Sequence, residues 1–148
     1  MPRLRPKSPL RSAEGDVPAL IGLFTQIADR WKLSIEERTE LLGRIGRTTH
    51  YEWTREKPPE ELSVDQRERI AHIIGIDVAT QAFYGFDSPN AATHIRRPGT
   101  APNGEGTALE LMLTGIPGLR DVRRHVEALG GGSVVAALHD QHGDPGVR

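Results

Sequence analysis

Residues 34–57 read SIEERTELLGRIGRTTHYEWTREK, and this stretch decides the fold. Ser34-Ile35-Glu36-Glu37 is a capping box: the serine hydroxyl and the second glutamate's carboxylate each accept from a backbone N–H that a first helical turn leaves without a partner. Behind it Ile35, Leu41, Leu42 and Ile45 share one face, with Gly43 and Gly46 near the helix end. A shorter helix follows from Arg47 to about Arg55, stopped by Pro58-Pro59. Two helices at about 34–44 and 47–56, joined by a tight turn containing Gly46, have the length and spacing of a helix-turn-helix.

Outward from this pair the helical period persists. Leu20, Phe24, Ile27, Ala28 and Trp31 fall at i, i+4, i+7, i+8 and i+11 of a helix beginning at Val17. Ser63-Val64-Asp65-Gln66 opens a helix with Ile70, Ala71, Ile73 and Ile74 inside, and Asp77 to about Tyr84 reads as another, ending at Gly85. Ser88 to Arg96 is a further helix, ending at Pro98. Thr107-Ala108-Leu109-Glu110 caps one carrying Leu109, Met112 and Leu113. Pro117 stands in the first turn of a last helix, whose apolar positions Leu119, Val122, Val126 and Leu129 are spaced 3, 4 and 3. Alternating strand patterns with hairpin turns are missing. The expectation is an all-α fold, an N-terminal helix-turn-helix bundle packed with a small C-terminal helical domain and flexible at both termini. The triple glycine Gly130-Gly131-Gly132 should end the last helix, leaving residues 130–148 as a mobile extension.

In a helix-turn-helix the second helix enters the major groove with its N-terminal residues toward the bases. Trp53 is then expected to anchor that helix in the core against Leu20, Phe24 and Leu42. Arg47, Thr48, Thr49, Tyr51, Glu52 and Arg55 would be left for solvent or DNA. Arginine can hold guanine with two hydrogen bonds, threonine and tyrosine can donate to phosphates, and the helix N-terminus favours an anion. The DNA contacts expected are Arg47, Thr48, Thr49, Tyr51 and Arg55. The alternative is a plain helical bundle with these residues on a solvated face. Residues 1–15, with Arg3, Arg5, Lys7 and Arg11 against Glu14 and with three prolines, read as a basic arm, disordered alone, that lies on phosphates or is simply solvated.

Composition sets the outer bounds. Nineteen Lys and Arg against twenty Asp and Glu leave the 148-residue chain at a net charge of −1, which argues against a wholly electrostatic nucleic-acid binder. No cysteine is present, which excludes disulfides, thiol nucleophiles and cysteine-ligated metals. No apolar run approaches the roughly 18 residues of a membrane span, and the N-terminus lacks a signal-peptide core. A cytoplasmic protein is the expectation. No P-loop, G-x-G-x-x-G or G-x-S-x-G occurs, so no enzyme activity and no cofactor are expected. His139-x-x-His142 with Asp140 and Asp144 has ligand types, but it follows three glycines with nothing to hold it in place, so no metal site is expected either.

The segments LSVDQRERIAHIIGIDVATQAFYG, AATHIRRPG and GTALELMLTGIPGLRDVRRHVEALGGG occur in an order that resembles the Xre/MbcA/ParS toxin-binding domain of antitoxins. Upstream, RWKLSIEERTELLGRIGRTTHYEWTREKP resembles the Xre-type helix-turn-helix that precedes it. The resemblance implies a helix-turn-helix domain over 16–61 after an arm at 1–15, a toxin-binding domain over 62–132, and a tail at 133–148. Departures are His94 where the family usually has tryptophan, Gly99 where it has asparagine after Arg-Arg-Pro, and Ser133 in place of an aromatic. What it implies is an antitoxin of a RES-domain toxin that consumes NAD by degrading it or transferring its ADP-ribose. The antitoxin would block the toxin's active site and do no chemistry itself.

The implied toxin contacts are Arg96, Arg97, Pro98, Arg123, Arg124, Gly130, Gly131 and Gly132, the glycines hinging an extension into the cleft. The alternative for the arginines is a solvated basic surface. Expected partners are the toxin, operator DNA, and a second copy in a homodimer or a toxin–antitoxin hetero-oligomer, since two half-sites multiply affinity. A stand-alone helix-turn-helix regulator and a purely structural adaptor are the competing readings.

Overall fold

A computed structural model describes residues 16–141, with side chains described up to Gly130. The arm at 1–15 and residues 142–148 lie outside the described residues, and so do the expectations placed on them. The protein is all-α. Its helices are α1 (Val17–Arg30), α2 (Ile35–Leu41), α3 (Arg47–Tyr51), α4 (Val64–Tyr84), α5 (Pro89–Thr93), α6 (Ala108–Met112) and α7 (Ile116–Gln141). A π-helical turn, Glu52–Glu56, continues α3, and a 3₁₀ turn, His94–Arg96, continues α5. The chain divides into two compact units, Met1–Ile70 and Ala71–Arg148, so the division falls inside α4.

The first unit is built on α1. Asp16 caps it by accepting from Ala19 N–H, and Leu20, Ile21, Phe24, Ile27 and Ala28 are buried along one stripe, followed by Trp31 and Leu33. The capping box at the head of α2 is formed as expected: Ser34 Oγ accepts from Glu37 N–H at 3.0 Å and Glu37 Oε1 from Ser34 N–H at 2.9 Å. Leu41 and Leu42 are fully buried, but Ile35, expected inside, is exposed because it sits at the first helical position, ahead of the turn that meets the core. The turn to α3 is closed by backbone. Gly43 and Arg44 both take positive φ, 96° and 63°. Thr39 carbonyl accepts from Arg44 and Ile45 N–H at 2.9 and 3.2 Å.

The start of α4 and its end were expected as separate helices, but one 21-residue helix runs through Gly75-Ile76-Asp77. Ile76 is fully buried there, and that burial outweighs the roughly 1 kcal/mol that an interior glycine costs a helix. Ala71, expected inside, is exposed, because the buried stripe of the continuous helix runs through Ile70, Ile73, Ile76 and Ala79. Thr107 and Glu110 cap α6 reciprocally. Gly118 lets α7 press on the end of α6: a Cβ there would stand 2.0 Å from the Leu111 carbonyl oxygen. Met112, Leu119 and Val122 are fully buried, and Val126 is 2% exposed.

The expected helix end at Gly130 is corrected, since α7 continues through the three glycines to Gln141. Three glycines lower helix propensity, but propensity is a weak prior that the whole helix and its packing can override. At Gly130 the helix backbone passes close to α4, where a Cβ would meet the Ala79 carbonyl at 3.9 Å.

Candidate functional site

Two surfaces carry the residues singled out by sequence, one in each unit. In the first unit Arg47, Thr48, Tyr51 and Arg55 are exposed, whereas Thr49 is half-buried. Arg47 opens α3 and reaches Glu36 at 3.7 Å. Both side chains are about 70% exposed, at 72% and 71%, so this ion pair is screened by solvent and salt. The Arg55 guanidinium lies 5.5 Å from the Tyr51 ring centroid, within cation–π range. One turn thus presents a cation stacked on an aromatic hydroxyl-bearing ring, with a second cation and a threonine a turn earlier.

The residue that anchors this helix is not the one expected. His50 is buried, at 6% exposure, while Trp53 is only half-buried. The reason is the π turn, closed by Lys57 N–H to Glu52 carbonyl at 2.6 Å. A π turn inserts one extra residue per hydrogen bond, so side chains beyond Glu52 rotate relative to an α-helix and Trp53 leaves the inward face. Burial first, then the Arg38 and Arg55 guanidinia, holds His50 below the ordinary imidazole range. His50 was not singled out from sequence; the register shift has no signature in apolar spacing.

In the second unit, the paired arginines before Pro98 separate in role. Arg96 and Pro98 are exposed. Arg97 is turned inward instead: its guanidinium stacks 5.2 Å over the Tyr84 ring, reaches the Tyr84 hydroxyl and Thr93 Oγ1 at 3.4 Å, and donates to the Asn90 carbonyl. The Tyr84 hydroxyl lies 2.8 Å from His94 Nδ1. His94 is 4% exposed, and its Nε2 has no partner among the described residues. Because Arg97 donates to the hydroxyl oxygen, the hydroxyl proton is the one available to Nδ1. Burial first, then Arg97 and His125, pushes His94 below the ordinary imidazole range. Tyr84, His94 and Arg97 therefore fasten α5 and its 3₁₀ turn to the end of α4. Arg97, half-buried, is held by contacts within its own unit.

Arg123 is also engaged. It meets Glu127 at 3.0 Å, and its Nη1 lies 3.4 Å from both the Ala71 carbonyl and His72 Nδ1. Gly75 makes room for it, since a Cβ there would stand 2.3 Å from Arg123 Nε. Arg124 is exposed. Gly130, Gly131 and Gly132 lie within α7, so they form no unwound hinge there. The structure thus leaves Arg96, Pro98 and Arg124 on the surface.

Among the described residues no group of three His, Cys, Asp or Glu side chains is placed to hold a metal. His139 and Asp140 are described only by their backbone in α7, and His142 and Asp144 lie outside the described residues. No helix among the described residues is long and apolar enough to cross a membrane.

Fold and surfaces define a small all-α protein of two helical units. No family model matches the sequence, and no solved structure matches it. Over 117 residues the chain is 37% identical to a Sinorhizobium fredii (strain NBRC 101917 / NGR234) protein designated uncharacterized protein y4oB, covering 78% of this chain and 88% of that protein. The chain belongs to the same family as that protein.

Proposed function

We propose that this protein is an antitoxin that occludes a RES-domain, NAD-consuming toxin and represses its own operon through α2, the turn and α3. It acts in the cytoplasm, without a cofactor and without chemistry of its own. The observation that carries the DNA half is the exposed face of α3 and its π turn, where Arg47, Thr48, Tyr51 and Arg55 follow a turn closed by two positive-φ residues. Arginines placed there suit guanine edges or phosphates. A dimer supplies the second half-site. The toxin half rests on the resemblance of residues 62–132, supported by exposed Arg96 and Arg124 and by an α7 that runs on to Gln141 as a ready-made helical extension.

Co-purification with the product of an adjacent RES-type gene tests the toxin half, and deletion of residues 130–148 tests where the toxin is held. The expected result is a folded protein that no longer neutralises the toxin; full neutralisation by the truncated chain would move the interface onto the helical body. A gel shift on the chain's own promoter tests the DNA half.

A stand-alone regulator is the second reading. It is favoured by the engagement of Arg97 and Arg123 with groups of their own unit, while the α3 face stays exposed. Specific promoter binding with no toxin-type neighbour that co-purifies would select it.

A further inference from the structure

The exposed face of α3 and its π turn carries one residue whose charge is wrong for a phosphate backbone. From Arg47 to Arg55 the exposed side chains are Arg47, Thr48, Tyr51, Glu52 and Arg55, and Glu52 is the one carboxylate in that run. Its place is fixed by the backbone. Glu52 N–H donates to the Thr48 carbonyl, the i to i−4 bond of an α-helix, so Glu52 stands one turn beyond Thr48 on the same row. Arg47 and Tyr51 form the adjacent row. The cations do not neutralise the acid: Arg47 pairs with Glu36 and Arg55 stacks on Tyr51. Among the described residues the Glu52 side chain has no hydrogen bond or ion pair.

An ionised carboxylate accepts hydrogen bonds and donates none. Phosphate oxygens are acceptors of like charge, so a glutamate on a DNA-facing helix cannot serve as a backbone contact. The base edges of the major groove are not alike to it. Guanine presents N7 and O6 and thymine O4, all acceptors, while adenine sets its N6 donor beside the N7 acceptor. Cytosine offers its N4 amino group as a donor with no acceptor of its own beside it. A carboxylate in the groove is therefore satisfied at cytosine and opposed by acceptors at guanine and thymine and, in part, at adenine.

We propose that Glu52 sets sequence specificity by accepting from a cytosine N4 amino group in the major groove. The inference rests on the reading of this face as a DNA-binding surface, and adds the base that one position requires. The cations of the face draw the helix to any duplex, whereas Glu52 lowers affinity wherever no amino group meets it. Selectivity thus comes from a repulsive element as well as from an attractive one.

The test selects binding sites from a random duplex library with the full chain, then measures natural and variant proteins on the enriched duplex by gel shift. E52A and E52Q alter an exposed side chain, and circular dichroism checks that both fold. For the natural chain the enriched site should carry cytosine at one position of each half-site, and changing that base pair should weaken binding roughly tenfold. E52A should lose this one preference and bind the changed duplexes more tightly than the natural chain does, since the repelled carboxylate is gone. E52Q should prefer adenine there, because an amide donates to N7 and accepts from N6. Unchanged base preferences in both variants overturn the proposal and leave the DNA-binding reading in place. So does a preference altered at several positions together, which marks a displaced helix, or an altered position at which the natural chain favours guanine or thymine. A natural chain that enriches no sequence defeats the DNA-binding reading itself, and this inference with it.

Discussion

Gly118→Ala should uncouple α6 from α7, and its size can be worked from the contact. The new Cβ would lie 2.0 Å from the Leu111 carbonyl oxygen, 2.6 Å from Thr114 Oγ1 and 2.9 Å from the Leu111 carbonyl carbon. Two of these three atoms are backbone, so no flexible side chain can step aside for all of them. Bringing 2.0 Å to the 3.0 Å below which real Cβ contacts essentially never occur requires the two helices to part by about 1 Å. That displacement loosens Met112 against Leu119 and Val122, all fully buried, and strains the hydrogen bond of Thr114 Oγ1 to the same carbonyl at 2.6 Å. Overpacking of this kind costs about 1–3 kcal/mol, and the rigid partner places the cost at about 3. The gain from replacing glycine with alanine in a helix is at most about 1 kcal/mol. The net is a destabilisation of about 2 kcal/mol, and at roughly 4–8 °C per kcal/mol for a unit this small the melting temperature falls by roughly 8–16 °C. Circular dichroism at the helix band, followed through heat and urea, reads it. The companion variant Gly22→Ala makes the same chemical change on the exposed face of α1, where a Cβ would meet nothing within 4 Å, and should stabilise by about 0.5–1 kcal/mol. A Gly118→Ala protein as stable as the natural one would refute the contact, and two variants moving in the same direction would refute the reasoning from space.

Other expectations follow from the two buried histidines and the two surfaces. His94 is held below its ordinary range by burial and by Arg97, so in the acid range the unfolded chain binds the proton that the folded chain refuses. Its contribution is complete above about pH 6.5, the unfolded value, and is lost as pH falls through the lower folded value; His94→Gln should flatten that slope in urea midpoints taken across the range. Arg97→Ala should cost about 1–3 kcal/mol of stability, through its stack on Tyr84 and its bond to the Asn90 carbonyl, whereas Arg124→Ala should leave the urea midpoint unmoved. A purely partner-facing Arg97 would show the reverse pattern, affinity lost and stability kept. On the other unit, Arg55→Ala should weaken binding to the chain's own promoter by about 1–3 kcal/mol if it reads a base. Arg47→Ala should instead lower affinity for all sequences and reduce the salt slope by about one, both read in filter-binding titrations.

What was legible in the sequence was whatever local chemistry decides. The boxes at Ser34, Ser63 and Thr107 are each formed by a residue and its neighbour three positions on, so their signature is complete within four letters. The stripe of α1 and the buried run Leu119, Val122, Val126 are likewise periodic. The exposed α3 residues were legible too, because polar types at helical spacing face outward unless something local intervenes. Glycine was harder to read, since its cost to a helix is intrinsic while its benefit is held by a distant partner. Gly75, which falls between the two helices expected there, is a seat for Arg123, 48 positions away in the chain. The same residue type ends α4 at Gly85, where φ is 104°, and no feature of the neighbouring letters separates the two cases.

Trp53 shows where local reading fails for a different reason. Apolar bulk predicts burial, and on an α-helical register Trp53 would have its place inside. One hydrogen bond with the longer i to i+5 spacing, Lys57 to Glu52, turns the side chains beyond Glu52 and leaves the indole half-buried, while His50, on the regular α3 turn before it, is buried. The consequence is chemical as well as steric. His50 is buried, and burial first, then the Arg38 and Arg55 guanidinia, hold it below the ordinary imidazole range. The half-buried indole lines a cavity together with Pro58, Pro59, Glu52, Glu56 and Glu60. That same proline pair ends the helix: Lys57, which precedes it, is extended at φ −154° and ψ 117°, as the residue before a proline must be. Helix termination, the register shift and the acidic cleft are thus joined in nine residues from Glu52 to Glu60. Removing the prolines would test that union directly: Pro58→Ala/Pro59→Ala should let the last turn relax to α-helical register, draw Trp53 inward with a blue-shifted emission, and abolish the cleft. An unchanged emission would mean that the π turn is held by packing on α1 rather than by the prolines that follow it.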